Sequence, residues 1–166
     1  MSTRARKHTP SRLALVLCAA ALFLLLPRPA AACSCVPPPP PAEALESAAA
    51  VFSGTVVTVE DAFRESEYGH IPNIRVVVEL DRVWKGCEAV EGEERPRRVD
   101  LVTGSGGGDC GYHFEAGKRY LVYAYEGSDG VLTTGTCSRT SNLEHAADDV
   151  AALGEPARVI EACEKN

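Results

Sequence analysis

The stretch that decides the fold runs from Arg119 to Thr134, RYLVYAYEGSDGVLTT. Its first half, Arg119 to Tyr125, alternates aromatic and aliphatic residues with period two, the spacing of a strand. Its second half, Val131 to Thr134, is reached through Ser128-Asp129-Gly130. Asp-Gly between two such runs is a hairpin signal. Working outward, three more strand-like runs lie upstream: Val51 to Val59 (VFSGTVVTV), Ile74 to Trp84 (IRVVVELDRVW) and Val99 to Thr103. All are rich in β-branched residues. Five strands with no long helix between them predict a mainly β protein, a small antiparallel sheet or barrel.

Short helices flank these strands. Ala42 to Ala50 is an Ala-rich helical turn with Glu43 near its start, where the helix dipole favours an acid. Ser141-Asn142-Leu143-Glu144 matches a capping box at the mouth of an apolar-periodic run. Leu143, Ala146, Ala147, Val150, Ala151 and Leu153 can share a face, and Gly154 ends the helix. Pro156 can open a second helix reaching Cys163. Glu60 to Asn73 and Glu88 to Arg97 are polar and read as solvated connections. Val36 and the prolines 37–41 form an extended, polyproline-like leader.

The amino-terminal segment reads as a signal peptide over residues 1–32, followed by one domain over 33–166. Arg4, Arg6, Lys7 and Arg12 form a basic start. The apolar run Leu13 to Leu26 has 14 residues, too short for a helix that spans a hydrocarbon core of about 30 Å. Pro27 and Pro29 stop it, and Ala30-Ala31-Ala32 supplies small residues for cleavage. Removal takes five of the 17 basic residues and no acid, leaving 12 basic against 23 acidic side chains, a net charge of −11. That balance excludes electrostatic binding to nucleic acid or to an anionic membrane surface. Cys18 leaves with the leader. Cys33, Cys35, Cys87, Cys110, Cys137 and Cys163 remain, and six cysteines in an exported domain read as three disulfides with 15 possible connectivities. A zinc site competes poorly, because there is no paired CxxC and no nearby His pair. A redox role for Cys33-Ser34-Cys35 lacks the strand-then-helix context of such motifs.

The order of short motifs then becomes specific. Cys33-Ser34-Cys35-Val36-Pro37-Pro38 opens the mature chain. Trp84-Lys85-Gly86, Cys110-Gly111-Tyr112, Ala116-Gly117-Lys118, Asp129-Gly130-Val131-Leu132 and Cys137-Ser138 follow. In this order and spacing the chain resembles the tissue inhibitors of metalloproteinases, as a secreted relative of bacterial type. The resemblance implies a netrin-like module: a five-stranded OB-type barrel with flanking short helices. It implies pairing of Cys33 with Cys110 and of Cys35 with Cys137, which leaves Cys87 with Cys163. That last pair departs from the family, whose third bridge uses a cysteine soon after the Cys-x-Cys.

The resemblance also implies an inhibitor that turns over no substrate. Cleavage after Ala32 makes Cys33 the first residue. Its α-amino nitrogen and carbonyl oxygen can then close a five-membered chelate on the zinc of a target protease, which keeps one open position. Zinc is thus the partner's metal, and no cofactor of the chain's own is expected. In the family such a wedge enters the protease cleft like a substrate. Ser34 would point into the specificity pocket, and Cys35, Val36 and Pro37 continue the ridge. The loop before Cys110, Gly107-Gly108-Asp109, would add a second contact strip. The expected partner is a zinc metalloprotease, bound by a monomer. Two rivals stay open. One is a netrin-like extracellular module that binds another protein without touching zinc. The other is a lipoprotein anchored at Cys33, disfavoured by Ala30 at the position where Leu is usual and by Pro-Arg-Pro before the cleavage site.

Other signals carry less chemistry. Gly104 to Gly108 is not a phosphate loop, since no Gly-Lys-Ser/Thr follows. His70, His113 and His145 are isolated, and no HExxH or GxSxG occurs. The series Tyr120, Tyr123, Tyr125 reads as strand packing. Glu91, Glu93 and Glu94 read as a solvated loop, with too few oxygen ligands for calcium.

Overall fold

A closed ring of five strands forms the body of the protein. The computed structural model describes residues 33–67, 69–86, 97–106, 108–127 and 129–156. The ring consists of β1 (Ala50–Ser66), β2 (Gly69–Lys85), β3 (Arg98–Gly104), β4 (Arg119–Glu126) and β5 (Leu132–Thr134). Its order is β1-β2-β3-β5-β4, closed by pairing of β4 with β1. This is a mainly β, OB-type barrel. The neighbours are antiparallel except β3 and β5, which run parallel through Val102–Thr133 and Thr103–Thr134. A purely antiparallel sheet is therefore not what forms. A two-residue strand, β6 (Ser141–Asn142), adds to β4 at Tyr120 and Leu121.

β4 is central because both of its faces are buried. Tyr120, Val122 and Ala124 point into the barrel with Phe52, Val56, Val76, Val78, Val99 and Leu101. Leu121 and Tyr123 point outward into a second apolar cluster with Ala44, Ala48, Val51 and Ala146. That outer layer is covered by α1 (Pro41–Ser47) and α2 (Ala147–Leu153). Period two was the right reading of β4, but its two parities face two apolar layers.

The motif Trp84-Lys85-Gly86 latches the helices to the barrel. Trp84 Nε1 donates to Gly154 O at the end of α2, at 3.0 Å. Lys85 Nζ donates to Leu45 O at 3.2 Å and Glu46 O at 2.8 Å, where α1 leaves carbonyls unsatisfied. Gly86 has φ 87° and lies so close to Ala50 that a Cβ would stand 2.5 Å from Ala50 Cβ.

Four local expectations are corrected. Glu60 to Asn73 is not a loop: β1 and β2 are 17 residues each and continue as a ribbon to the pair Ser66–Gly69. Past the barrel rim neither face of this ribbon is buried, so no hydrophobic period marks it. Cross-strand pairs do, such as Phe63 opposite Pro72 and His70 Nδ1 at 2.9 Å from Glu65 Oε1. The first helix ends at Ser47, not Ala50, because Ala49 N–H donates to Ala124 O and draws the chain into the sheet. The box Ser141 to Glu144 does not cap an α-helix with Ser141, which is paired in β6. Asn142 Oδ1 instead accepts from Glu144 N–H at the start of a 3-10 turn, Leu143–His145. α2 begins at Ala147, and Gly154 ends it with φ 71°. Leu143, Ala146, Val150 and Leu153 face the outer cluster, whereas Ala147 and Ala151 are exposed. The leader 1–32, the segment 87–96, the helix read after Pro156 and the pair Cys87–Cys163 lie outside the described residues.

Candidate functional site

Residues 33–40 carry no helix or strand. The prolines 37–41 supply no N–H donors, so this segment cannot join a ladder on equal terms. What holds it is covalent. Cys33 is bonded to Cys110 and Cys35 to Cys137, with Cα separations of 5.5 and 5.2 Å. These are the two bridges that the resemblance implied. They close sequence separations of 77 and 102 residues, and on the chain-entropy model each contributes about 4 to 5 kcal/mol. The ridge itself stays open to solvent: Ser34, Cys35, Val36 and Pro37 are exposed, and Val36 is 83% accessible.

The anchor cysteines are themselves fixed to one another. Cys110 O accepts from Thr136 N–H at 2.8 Å and from Thr136 Oγ1 at 3.2 Å, and Thr136 precedes Cys137. Buried hydroxyls tie the turn around Cys137 to β4. Thr134 Oγ1 donates to Tyr123 O at 3.0 Å and lies 2.8 Å from Thr140 Oγ1, which accepts from Tyr123 N–H. Beside both bridges is a hollow of about 340 Å³ bounded by Asp109, Cys110, Tyr125, Gly135, Cys137 and Ser138.

The loop before Cys110 is held by a carboxylate. Asp109 Oδ2 accepts from Ser105 N–H at 2.7 Å, and Oδ1 accepts from Gly106 and Gly111 N–H at 2.9 and 3.1 Å. Partial desolvation works to raise the Asp109 pKa, but these backbone donors outweigh it and hold it below the ordinary value. Gly108 and Asp109 are exposed and sit next to Cys110, so the Cys33–Cys110 bridge joins them to the ridge. The Asp109 carboxylate is turned onto its own loop, which leaves shape as what this strip offers. Gly107 lies outside the described residues. Cys110 takes the left-handed φ of 56°, rare for a residue with a Cβ.

Gly111 and Tyr112 seat the loop on the barrel. A Cβ on Gly111 would stand 2.1 Å from Gly104 O. Tyr112 N–H donates to Thr103 Oγ1 at 2.7 Å, and its ring packs on Phe114 and Tyr120 at centroid distances of 4.8 and 5.9 Å. Tyr112 is thus partly buried against the barrel core.

This arrangement has a known counterpart. A family model described as tissue inhibitor of metalloproteinase matches residues 31–148, more than half of the chain. The chain belongs to the tissue inhibitor of metalloproteinase family. Proteins of this family are inhibitors, not enzymes, and their partners are metalloproteinases. Family members are secreted, and among the described residues no helix is long and apolar enough to cross a membrane. A search of the curated proteins finds no match to this chain.

Sequence reasoning missed Thr136, Arg139 and Asp149. Arg139 Nη1 donates to Pro39 O at 2.9 Å, and its Nε and Nη2 grip Asp149 of α2 at 2.7 and 2.6 Å. One signal was available: five prolines in a row can only accept hydrogen bonds, so any donor to them must come from elsewhere.

Proposed function

We propose that the mature chain is a secreted, stoichiometric inhibitor of zinc metalloproteinases that acts through Cys33. Removal of residues 1–32 frees the Cys33 amine, which can lose a proton to bind a metal, as other ligands must. The nitrogen and the Cys33 carbonyl oxygen chelate the target's zinc and displace its water. Ser34 enters the adjoining specificity pocket, while Val36, Pro37 and the Gly108-Asp109 loop extend the contact. The observation that carries this reading is the Cys33-Ser34-Cys35 ridge, half-buried at Cys33 and exposed from Ser34 on, clamped by two disulfides onto the barrel of this family. A clamped ridge loses little conformational freedom on binding. The zinc belongs to the partner, and the chain brings no metal of its own.

The test compares the mature chain with one that retains a single extra alanine before Cys33. Acylation turns the amine into an amide, whose lone pair is delocalised into the carbonyl and ligates zinc poorly. The extended chain keeps the barrel and both disulfides, so its thermal unfolding stays within about 2 °C, as expected of a surface change. Titrated against a panel of zinc metalloproteases, the mature chain inhibits and the extended chain does not. Equal inhibition by both would remove Cys33 from the zinc. Inhibition by neither, with a free amine verified by mass spectrometry, favours a protein-binding module.

A further inference from the structure

The proline run leaves carbonyls that no neighbouring strand satisfies. Pro40 O accepts from Ala44 N–H of α1, whereas the half-buried Pro39 is met by a side-chain donor, which must also bear on something firm. Arg139 does both. One edge of its guanidinium serves Pro39 O, and another serves both oxygens of Asp149. The Tyr123 hydroxyl stands 3.3 Å from Asp149 Oδ2. The side chains of Arg139 and Asp149 are only 22% and 14% exposed, so water competes weakly for either.

The spacing gives this contact its meaning. Cys137 and Arg139 lie two residues apart. Cys137 holds Cys35 through sulfur, and Arg139 holds Pro39 through a hydrogen bond. Val36, Pro37 and Pro38 therefore lie between two ties to one short segment of the barrel. The next hold on the chain is α1, which starts at Pro41 and buries Ala44, so without the Arg139 tie the unheld span would lengthen from Val36–Pro38 to Val36–Pro40.

The geometry points to Arg139, backed by Asp149, as a positioning residue that holds the ridge Cys33 to Pro37 in one binding-ready conformation. The assignment rests on the inhibitory reading of that ridge. Lysine is no substitute: a single ammonium cannot grip a carboxylate with two donors and serve a carbonyl on another side of the same plane. The contribution is preorganisation, which lengthens the lifetime of a complex more than it speeds encounter.

The experiment uses the mature chain as native protein, Arg139→Gln, Arg139→Lys and Asp149→Asn. Backbone 15N relaxation reads Val36, whose amide lies between the two ties, and a metalloprotease panel reads dissociation rates. In the native chain the Val36 order parameter is expected near about 0.85, and in Arg139→Gln below about 0.6, with Arg139→Lys between them. Dissociation from an inhibited protease quickens about tenfold in Arg139→Gln with little change in association rate. A purely structural role would lower the melting temperature and leave Val36 rigid. If Arg139→Gln does not fold, Asp149→Asn decides, since it keeps the donor to Pro39 but replaces the charged two-oxygen grip behind it with a single neutral acceptor. A Val36 amide as rigid in the folded variants as in the native chain overturns the proposal. If the native chain inhibits no protease, the inhibitory reading fails, and the order parameters still decide whether Arg139 holds the ridge.

Discussion

Replacing Gly111 by alanine tests how the ridge's anchor is seated. The added Cβ would stand 2.1 Å from Gly104 O, 2.5 Å from Gly104 C and 2.8 Å from Gly104 Cα. A carbon and a carbonyl oxygen approach to about 3.3 Å at closest, so backbone must move by about 1 Å, and no flexible side chain can yield instead. The displaced groups matter. Gly104 ends β3, and Gly111 N–H is one of the three backbone donors that Asp109 gathers. Overpacking of this kind costs about 3 kcal/mol, the upper part of its range. The entropy that alanine removes from the unfolded chain offsets less than about 1 kcal/mol of that. For a domain of this size the loss is a melting temperature about 10 °C lower. Gly117→Ala is the control. Gly117 has φ 81°, but a Cβ there meets nothing within 4 Å; its penalty is conformational, about 1 kcal/mol. Urea unfolding of both variants, with the slope unchanged, separates clash from backbone preference. A Gly111→Ala loss no larger than that of Gly117→Ala would refute the close-approach argument.

Two further outcomes follow from the same loop and from the helix latch. Asp109 has a lowered pKa in the folded chain, so its contribution is complete above the unfolded carboxylate pKa of about 3.9 and is lost as pH falls through the folded value. Asp109→Asn is therefore expected to be less stable than the native chain at pH 6, with the gap closing as the solution is acidified below pH about 4; denaturant unfolding at several pH values checks it, and a gap independent of pH would remove the carboxylate from the loop's stability. Trp84→Phe removes the donor to Gly154 O and is expected to cost about 1 kcal/mol, with faster amide exchange at Val150 and Gly154 while β4 amides stay protected.

The candidate site was legible in covalent terms and illegible in its supports. A Cys-x-Cys at an expected cleavage point, with Cys110 and Cys137 in family order, led to both bridges now seen. Asp109 was read as part of a contact strip; its carboxylate is occupied by three backbone donors, a role set by a turn that no local pattern announces. Arg139 and Asp149 sit on different elements, and their pairing depends on where α2 comes to rest.

Local chemistry determined what each piece of this chain is. Alternation in Arg119 to Tyr125 made a strand, Asp129-Gly130 made a turn, four prolines made a leader without donors and a fifth, Pro41, opened α1, and Gly154 ended a helix. Those outcomes depend on torsions and neighbours within a few residues. Ring closure was decided only in three dimensions. The parallel contact of β3 with β5, the burial of both faces of β4 and the reach of β1 and β2 past the barrel rim depend on partners distant in sequence. So does the tie from Arg139 to Pro39, across 100 residues. A strand's period shows that one face is apolar, but not what covers it. A proline carbonyl's lack of a local partner does not say which arginine will supply one. Those choices are made when packing brings distant segments together, and they turn an exposed stretch of prolines into a held ridge.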